Sequence, residues 1–329
     1  FGVLISSQVA SLNQFGAILV VAVSTSFITS LMALPALVKV FQPRFITINK
    51  TSVMSGKHTF ATALMACFLA AACAVFPTPV QAQAEQGVSA ELVVSRVNAV
   101  EDGDFVTQRL TMHTTDRHGK QRTRETINYR KYFGQDKKTV LFFLEPANVR
   151  DTSFLIWNYA DPTEEDDQWL YLPALRKVRR VSAANRGDYF LGTDFTYEDM
   201  KLDGKFEPLD YTFVLKGEET LDGVLTHKLE GTPRDGDIAR QLGYSRTLSW
   251  IDPGNWTLIK AEFFDLKDNL LKTLTARDIR QIDGYWTRHQ LTMQNHQTGH
   301  TTEFIFSEVD YVTPVQDSLF SKQALARGQ

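Results

Sequence analysis

The sequence predicts a mainly β fold over residues 85–329, an antiparallel sheet with little helix. Three observations carry this. Apolar and polar residues alternate over most of the stretch, the period at which successive strand side chains leave on opposite faces. Turn-forming clusters recur at close, even spacing, which fits a meander of hairpins and not βαβ units. Helical spacing shows at length only once, just after Glu85, and a short helix is expected near the C-terminus.

Taken in order, Val88, Leu92, Val93 and Val97 recur at helical spacing, and Asp102-Gly103 ends that helix. Val106, Leu110 and Met112 then share one strand face, with Thr107, Arg109 and Thr111 on the other. Arg117-His118-Gly119-Lys120 turns into a return strand that runs through Tyr132, and Val140–Leu144 and Phe154–Tyr159 follow. Asp161-Pro162 and the acidic run Glu164–Asp167 separate these from a dense stretch, Asp166 to Met200. It opens as a strand with Trp169 and Tyr171 on one face and Leu170 and Leu172 on the other. Pro173-Ala174 breaks that strand, and an extended run to Val181 carries Arg176, Lys177, Arg179 and Arg180. A turn, the Tyr189–Phe190 step and the segment Gly192 to Met200 complete it.

The second half is a series of hairpins. Tyr211, Phe213 and Leu215 face one way, and Leu221-Asp222-Gly223 turns back into Leu225 and Leu229. Tyr244, Leu248 and Trp250 alternate with Ser245, Thr247 and Ser249. Further turns fall at Asp252-Pro253-Gly254-Asn255, Lys267-Asp268-Asn269, Ile282-Asp283-Gly284 and Gln297-Thr298-Gly299. Pro314 ends the last strand, and Asp317 is expected to cap a closing helix through Ala326. A sheet of about ten strands with so little helix must curl on itself or leave a cavity. By periodicity alone, a filled barrel and a hollow one stand equal.

Before Glu85 the chain reads differently. Phe15 to Val38 is an uncharged, mostly apolar run long enough to span a bilayer, and Lys39, Arg44 and Lys50 place its far end in the cytoplasm. Residues 42–53 read as a cytoplasmic linker. Residues 54–84 read as a signal peptide, with Lys57 before an apolar core and a small-x-small cleavage site at Ala82-Gln83-Ala84. Lipid attachment at Cys73 is the alternative. The pieces are either a true fusion or two adjacent reading frames joined.

Charge narrows the function. Four of the 35 basic residues precede Glu85 and none of the 38 acidic ones does, so residues 85–329 hold 31 basic and 38 acidic groups, a net of −7. An acidic domain is a poor nucleic-acid binder, because neutralising phosphates needs a basic field. Both cysteines, Cys67 and Cys73, precede Glu85, so the domain needs no disulfide and has no thiolate metal site. His296 and His300 flank a turn without an evident third ligand, and no metal or cofactor is expected. Asp194, Glu198 and Asp199 have no partners suited to acid–base work and read as capping or ion-pairing groups. Hydrolase, P-loop and dinucleotide motifs are missing from the sequence, so an enzyme is not expected.

The stretch QWLYLPALRKVRRV followed by GTDFTYEDM resembles the signature of LolA-like outer membrane lipoprotein-sorting proteins, a resemblance that runs from about residue 90 to the C-terminus. It implies a LolA/LolB-like periplasmic half-barrel of antiparallel strands around a helix, with an apolar cavity for acyl chains and no catalytic residues. On the faces read above, the cavity would be lined by Val106, Leu110, Met112, Trp169, Tyr171, Phe213, Leu215, Leu225, Leu229, Leu248, Trp250, Leu291 and Met293. Arg176, Lys177, Arg179 and Arg180 would meet lipid headgroups or an acidic partner, or else pair with Glu164–Asp167 across a hairpin. The pattern FGVLISS…LNQFGAILVV…LMALPALVKVF in residues 1–41 resembles the last transmembrane hairpin of an RND-type (MMPL) exporter. Together these imply a periplasmic carrier of lipid or lipoprotein cargo between an inner-membrane exporter and the outer membrane. The alternative is a module that docks on the exporter and carries nothing.

Overall fold

A computed structural model describes residues 88–161 and 163–328. The expected membrane helix, linker and signal peptide lie outside these residues. Among the described residues no helix is long and apolar enough to cross a membrane.

The described chain opens with helix α1 (Ala90–Asn98), whose N-terminus is closed by the Ser89 hydroxyl accepting from the Leu92 N–H. Ala90, Val93, Val94 and Val97 form its single buried stripe. Six strands follow: β1 (Phe105–Thr115), β2 (Gln121–Phe133), β3 (Asp136–Glu145), β4 (Ser153–Asn158), β5 (Asp167–Leu172) and β6 (Lys177–Arg180). A crossover, residues 181–210, carries helix α2 (Tyr197–Leu202). Then come β7 (Tyr211–Leu221), β8 (Val224–Pro233), helix α3 (Gly236–Leu242), β9 (Arg246–Asp252), β10 (Thr257–Phe264), β11 (Leu270–Ile282), β12 (Tyr285–Asn295) and β13 (Thr301–Asp310). Helix α4 (Lys322–Arg327) closes the chain after a 3-10 turn at Asp317–Phe320.

All the strands join one antiparallel sheet in the order β6-β5-β4-β3-β2-β1-β13-β12-β11-β10-β9-β8-β7. The chain starts mid-sheet, meanders out to β6, crosses to the opposite edge at β7, and meanders back until β13 pairs with β1. Every connection but one is therefore a local hairpin, as the turn spacing predicted. The exception is the crossover.

The register sorts side chains onto two faces. Leu141, Phe154 and Leu170 lie opposite one another on β3, β4 and β5; Leu274 and Met293 do so on β11 and β12; Met112 and Phe304 on β1 and β13. With Phe190 and Phe195 of the crossover, these residues build one inner-face core. Along the same inner face, α1 packs over Leu229 and Ile251 of β8 and β9. The outer face of β2–β6 is covered instead by the C-terminal segment, where Val315, Phe320 and Leu325 pack on Val140, Phe142, Leu155 and Trp169.

The sheet curls. Leu141 on β3 and Phe213 on β7 stand nine strand positions apart, which is ~43 Å in a flat sheet. Both line one cavity of about 140 Å³, so the inner face must wrap around it. A mainly β curled sheet with a cavity agrees with the expected architecture.

Three details depart from the sequence reading. The sheet has thirteen strands, not about ten. The inner face is filled by α1 together with the crossover, so one helix does not fill it alone. Asp317 does not cap the closing helix; it starts the 3-10 turn, and the Ser321 hydroxyl accepts from the Ala324 N–H to cap α4. A serine four residues later competes for the same role, and local spacing did not rank them.

Candidate functional site

The crossover is the element that closes the inner face, and its sequence explains how. Thr196 opens α2 with a capping box: its hydroxyl accepts from the Asp199 N–H, and the Asp199 carboxylate accepts from the Thr196 N–H. Just before it, Phe190 packs on Phe154 with ring centres 4.9 Å apart, and Phe195 stacks on Phe304 at 4.0 Å and 13°. Polar clamps hold these aromatics in place. The Thr302 hydroxyl donates to the Asp194 carboxylate at 2.6 Å and accepts from the Asp194 N–H at 2.9 Å. Lys272 of β11, fully buried, donates to the Asp194 carbonyl at 3.0 Å and to the Asp199 carboxylate at 2.7 Å.

A second clamp is ionic. Lys201 on α2 reaches Glu198 at 2.9 Å and Asp166, just before β5, at 3.2 Å. Arg186 pairs with Asp210 at 2.5 Å and lies 4.0 Å from Glu198. Burial pushes the Glu198 carboxyl above its ordinary value, with Lys201 and Arg186 pulling the other way. Burial alone would lower Lys201, but Glu198 and Asp166 hold it above the usual lysine range. These acids were expected to act as capping or ion-pairing groups. Asp199 does cap α2, and the ion-pair partners are Lys272, Lys201 and Arg186, of which Lys201 is local to Glu198 and Lys272 is brought from β11 by the fold.

Beneath the crossover lies the apolar cavity. Leu110, Leu141, Phe213, Leu258, Ala261, Leu274, Leu291, Met293 and Phe304 supply its wall from the sheet, and Phe195 and Met200 supply its roof. About 140 Å³ is the size class of an apolar cavity that takes up a benzene-sized molecule. A whole acyl chain needs more room, and the crossover with its clamps forms the roof over it.

The expected cavity residues divide. Leu110, Phe213, Leu291 and Met293 line the cavity. Met112 lies in the adjoining inner core, and Val106 lines a polar pocket that shares a rim with the cavity. Leu215 and Leu229 face inward but pack against the α1 layer, and Leu225 is exposed near a hairpin tip. Trp169, Tyr171, Leu248 and Trp250 do not line the cavity. Trp169 and Tyr171 belong to the outer-face core under the C-terminal segment. Leu248 and Trp250 alternate with the cavity-lining Ser249 and so point outward, and Trp250 is sandwiched between Lys228 and Lys260 at 4.8 and 4.2 Å. Both faces of this sheet are covered in places, so an aromatic residue in a strand does not reveal which face is the hollow one.

Of the basic group, Arg180 pairs with Asp167 and lies 3.7 Å from Glu165, so the hairpin partner reading holds for it. Arg176 sits in a left-handed turn before β6, and Lys177 and Arg179 are exposed on that edge strand. These three make no ion pair among the described residues.

A family model described as "Uncharacterized protein" matches residues 135–327. The chain is similar to a crystal structure of a DUF1329 family protein from Desulfovibrio piger, at 30% identity over 71% of this chain and 96% of that one, with a TM-score of 0.65. This chain belongs to the DUF1329 family. A second similar structure, from Vibrio parahaemolyticus, is assigned as an outer membrane lipoprotein-sorting protein domain; identity is 32%, coverage 73% and 98%, and the TM-score 0.65. A LolA superfamily protein from Nitrosomonas europaea shares the fold at 20% identity, covering 72% and 99%, with a TM-score of 0.55. No curated protein matches the chain significantly. The lipoprotein-sorting resemblance seen around residues 166–200 agrees with these likenesses.

In this DUF1329 domain the cavity has a charged mouth that the sequence reading missed. Gly204, Lys205, Asp203 and Arg288 line both the apolar cavity and the polar pocket beside it. Lys205 donates to the carbonyls of Val97 and Val100 at 3.1 and 2.8 Å, at the C-terminal end of α1. Burial pulls it down to about 8, against the nearby charge of Asp102. Arg288 donates through one nitrogen to the Asp203 carbonyl and carboxylate at 2.7 and 3.0 Å. In the adjoining polar pocket Arg130 pairs with Asp102. Among the described residues no group of three or more His, Cys, Asp or Glu side chains is placed to hold a metal. His296 is bonded to Thr273 at 2.8 Å.

Proposed function

We propose that residues 85–329 act as a periplasmic carrier that shelters the acyl chain of a lipid or lipoprotein in the cavity under the crossover. The supporting observation is the cavity itself: a continuous apolar wall drawn from both halves of the curled sheet, roofed by a segment held through polar clamps. Apolar walls reward chain burial by about 0.8 kcal/mol per methylene. Parting the roof uncovers Phe195 of the core, an apolar cost that a chain seated on the same wall would offset. The similar Vibrio domain, assigned to lipoprotein sorting, supports the same reading. Asp199, Asp203 and Arg288 at the wall are engaged in structural pairs, which favours carriage over catalysis.

On this reading the cargo passes between an inner-membrane exporter of the RND type and the outer membrane. The unpaired edge residues Arg176, Lys177 and Arg179 favour a second reading, a module that docks on an acidic exporter surface and carries nothing. Native mass spectrometry of the protein isolated from cells separates the two. A carrier arrives with lipid bound at unit stoichiometry, released by mild activation. A protein that is lipid-free under every isolation condition, and takes up none from added vesicles, would leave only the docking module.

A further inference from the structure

The cavity mouth has more chemistry than an acyl carrier needs. Lys205 and Arg288 converge there from the crossover and from β12, on a domain whose net charge is negative. Each already serves the fold: Lys205 caps α1 and Arg288 caps α2 at Asp203. Capping leaves Arg288 only partly used. Its Nη2 makes both contacts to Asp203, while Nε and Nη1 have no partner among the described residues. Gly204 keeps the guanidinium in place: it has a left-handed φ of 79°, and a Cβ there would collide with Arg288. The exposed ring of Trp286 and the half-buried ring of Trp256 stand at the same opening, with Leu258 and Phe306 leading inward to the apolar wall. Aromatic rings beside cations at the edge of an apolar space match the boundary region of an amphiphile. Acidic groups are present too, and all but one are engaged: Asp203 with Arg288, Asp102 with Arg130. Glu207 accepts only from the Leu209 N–H at 3.3 Å.

We propose that this mouth is a headgroup site, in which Arg288, with the charge of Lys205 beside it, holds the carboxylate or phosphate of an anionic amphiphile whose chain enters the cavity. The inference rests on the carrier reading and adds the ligand class to it. Nε and Nη1 of Arg288 lie on opposite edges of the guanidinium, so each offers a single charged hydrogen bond, which an anionic oxygen accepts more strongly than a neutral headgroup. Lys205 has its donors on the carbonyls of Val97, Asn98 and Val100, so it adds positive charge and no further hydrogen bond. The apolar wall does not distinguish headgroups, so the mouth sets that selectivity.

The test uses the protein as isolated from its cells, stripped of lipid, with three probes: palmitate, a lysophosphatidate of the same chain length, and hexadecanol. Displacement of a fluorescent reporter reads the affinities at neutral pH. The anionic probes are expected to bind about tenfold more tightly than the alcohol. Arg288→Gln should remove that difference between anionic and neutral probes, and Arg288→Lys should keep part of it. Palmitate alone showing the preference assigns a carboxylate head; lysophosphatidate alone assigns a phosphate. Should Arg288→Gln fail to fold, the wild-type protein still decides, because headgroup binding weakens with salt while chain binding does not. Equal affinity for all three probes, or a salt-independent preference, overturns the headgroup site while the carrier stands. Failure of all three to bind overturns both.

Discussion

Asp194 shows how much one buried carboxyl can carry. It is 3% exposed, and it fixes the crossover through Thr302. Burial raises its proton affinity, and Thr302, His300 and Lys272 offset this only in part, so it stands above the ordinary aspartate range. A carboxyl with a raised folded value holds its proton more tightly in the folded state. That stability is fully present below the unfolded value and is lost as pH rises through the folded one. Asp194→Asn keeps an oxygen to accept from Thr302 and has no charge to desolvate. The melting temperature of the variant, measured against wild type, should therefore gain with rising pH across the mildly acid range. Parallel melting curves at every pH would show that Asp194 is not the group that titrates.

At the scale of elements, the crossover matters most. It is the single non-local connection in the described sheet, and it roofs the cavity with side chains that are themselves part of the core. Phe195 is the clearest case, 4% exposed and stacked on Phe304. Phe195→Ala should cost about 3–5 kcal/mol of stability in denaturant unfolding, the usual loss for a buried aromatic. It should also enlarge the cavity, so that longer or branched chains bind better relative to short ones. A stability loss with no change in chain preference would place Phe195 outside the space that cargo occupies.

An open sheet of thirteen strands has two free edges, and the whole molecule has to manage both. The β6 edge presents Lys177, Arg179 and Arg180 within four residues. Arg180 is tied to Asp167, which leaves Lys177 and Arg179, on the same strand face, as the freest charges there. Charges on an edge discourage strand pairing with another copy, and a positive edge also attracts anionic surfaces. Reversing Lys177 and Arg179 together to Glu keeps the edge charged, so self-association should not increase. Transfer of bound lipid to anionic vesicles should slow at low salt and match wild type at high salt. Transfer that is unchanged at low salt would restrict this edge to guarding against aggregation.

The sequence by itself determined the strand class, the hairpin order, the turns and the lipoprotein-sorting resemblance, because these are written within a few residues of one another. Alternation and turn chemistry are local signals, and β1 to β5 and β7 to β13 follow them. Helices α2 and α3 were missed although Thr196 with Asp199, and Asp235 with Gly243, are local capping signals at their ends. Each helix is under two turns long, too short to show a period. Which face is hollow was a tertiary decision. Alternation says that Trp169 and Leu170 point opposite ways, and only the paths of the crossover and the C-terminal segment say which one meets the cavity. The charged mouth was decided the same way. Lys205 and Arg288 are 83 residues apart in the sequence, and nothing local to either marks the other. They meet because the sheet curls and the crossover spans it, and long-range packing of that kind leaves no periodic trace in the chain.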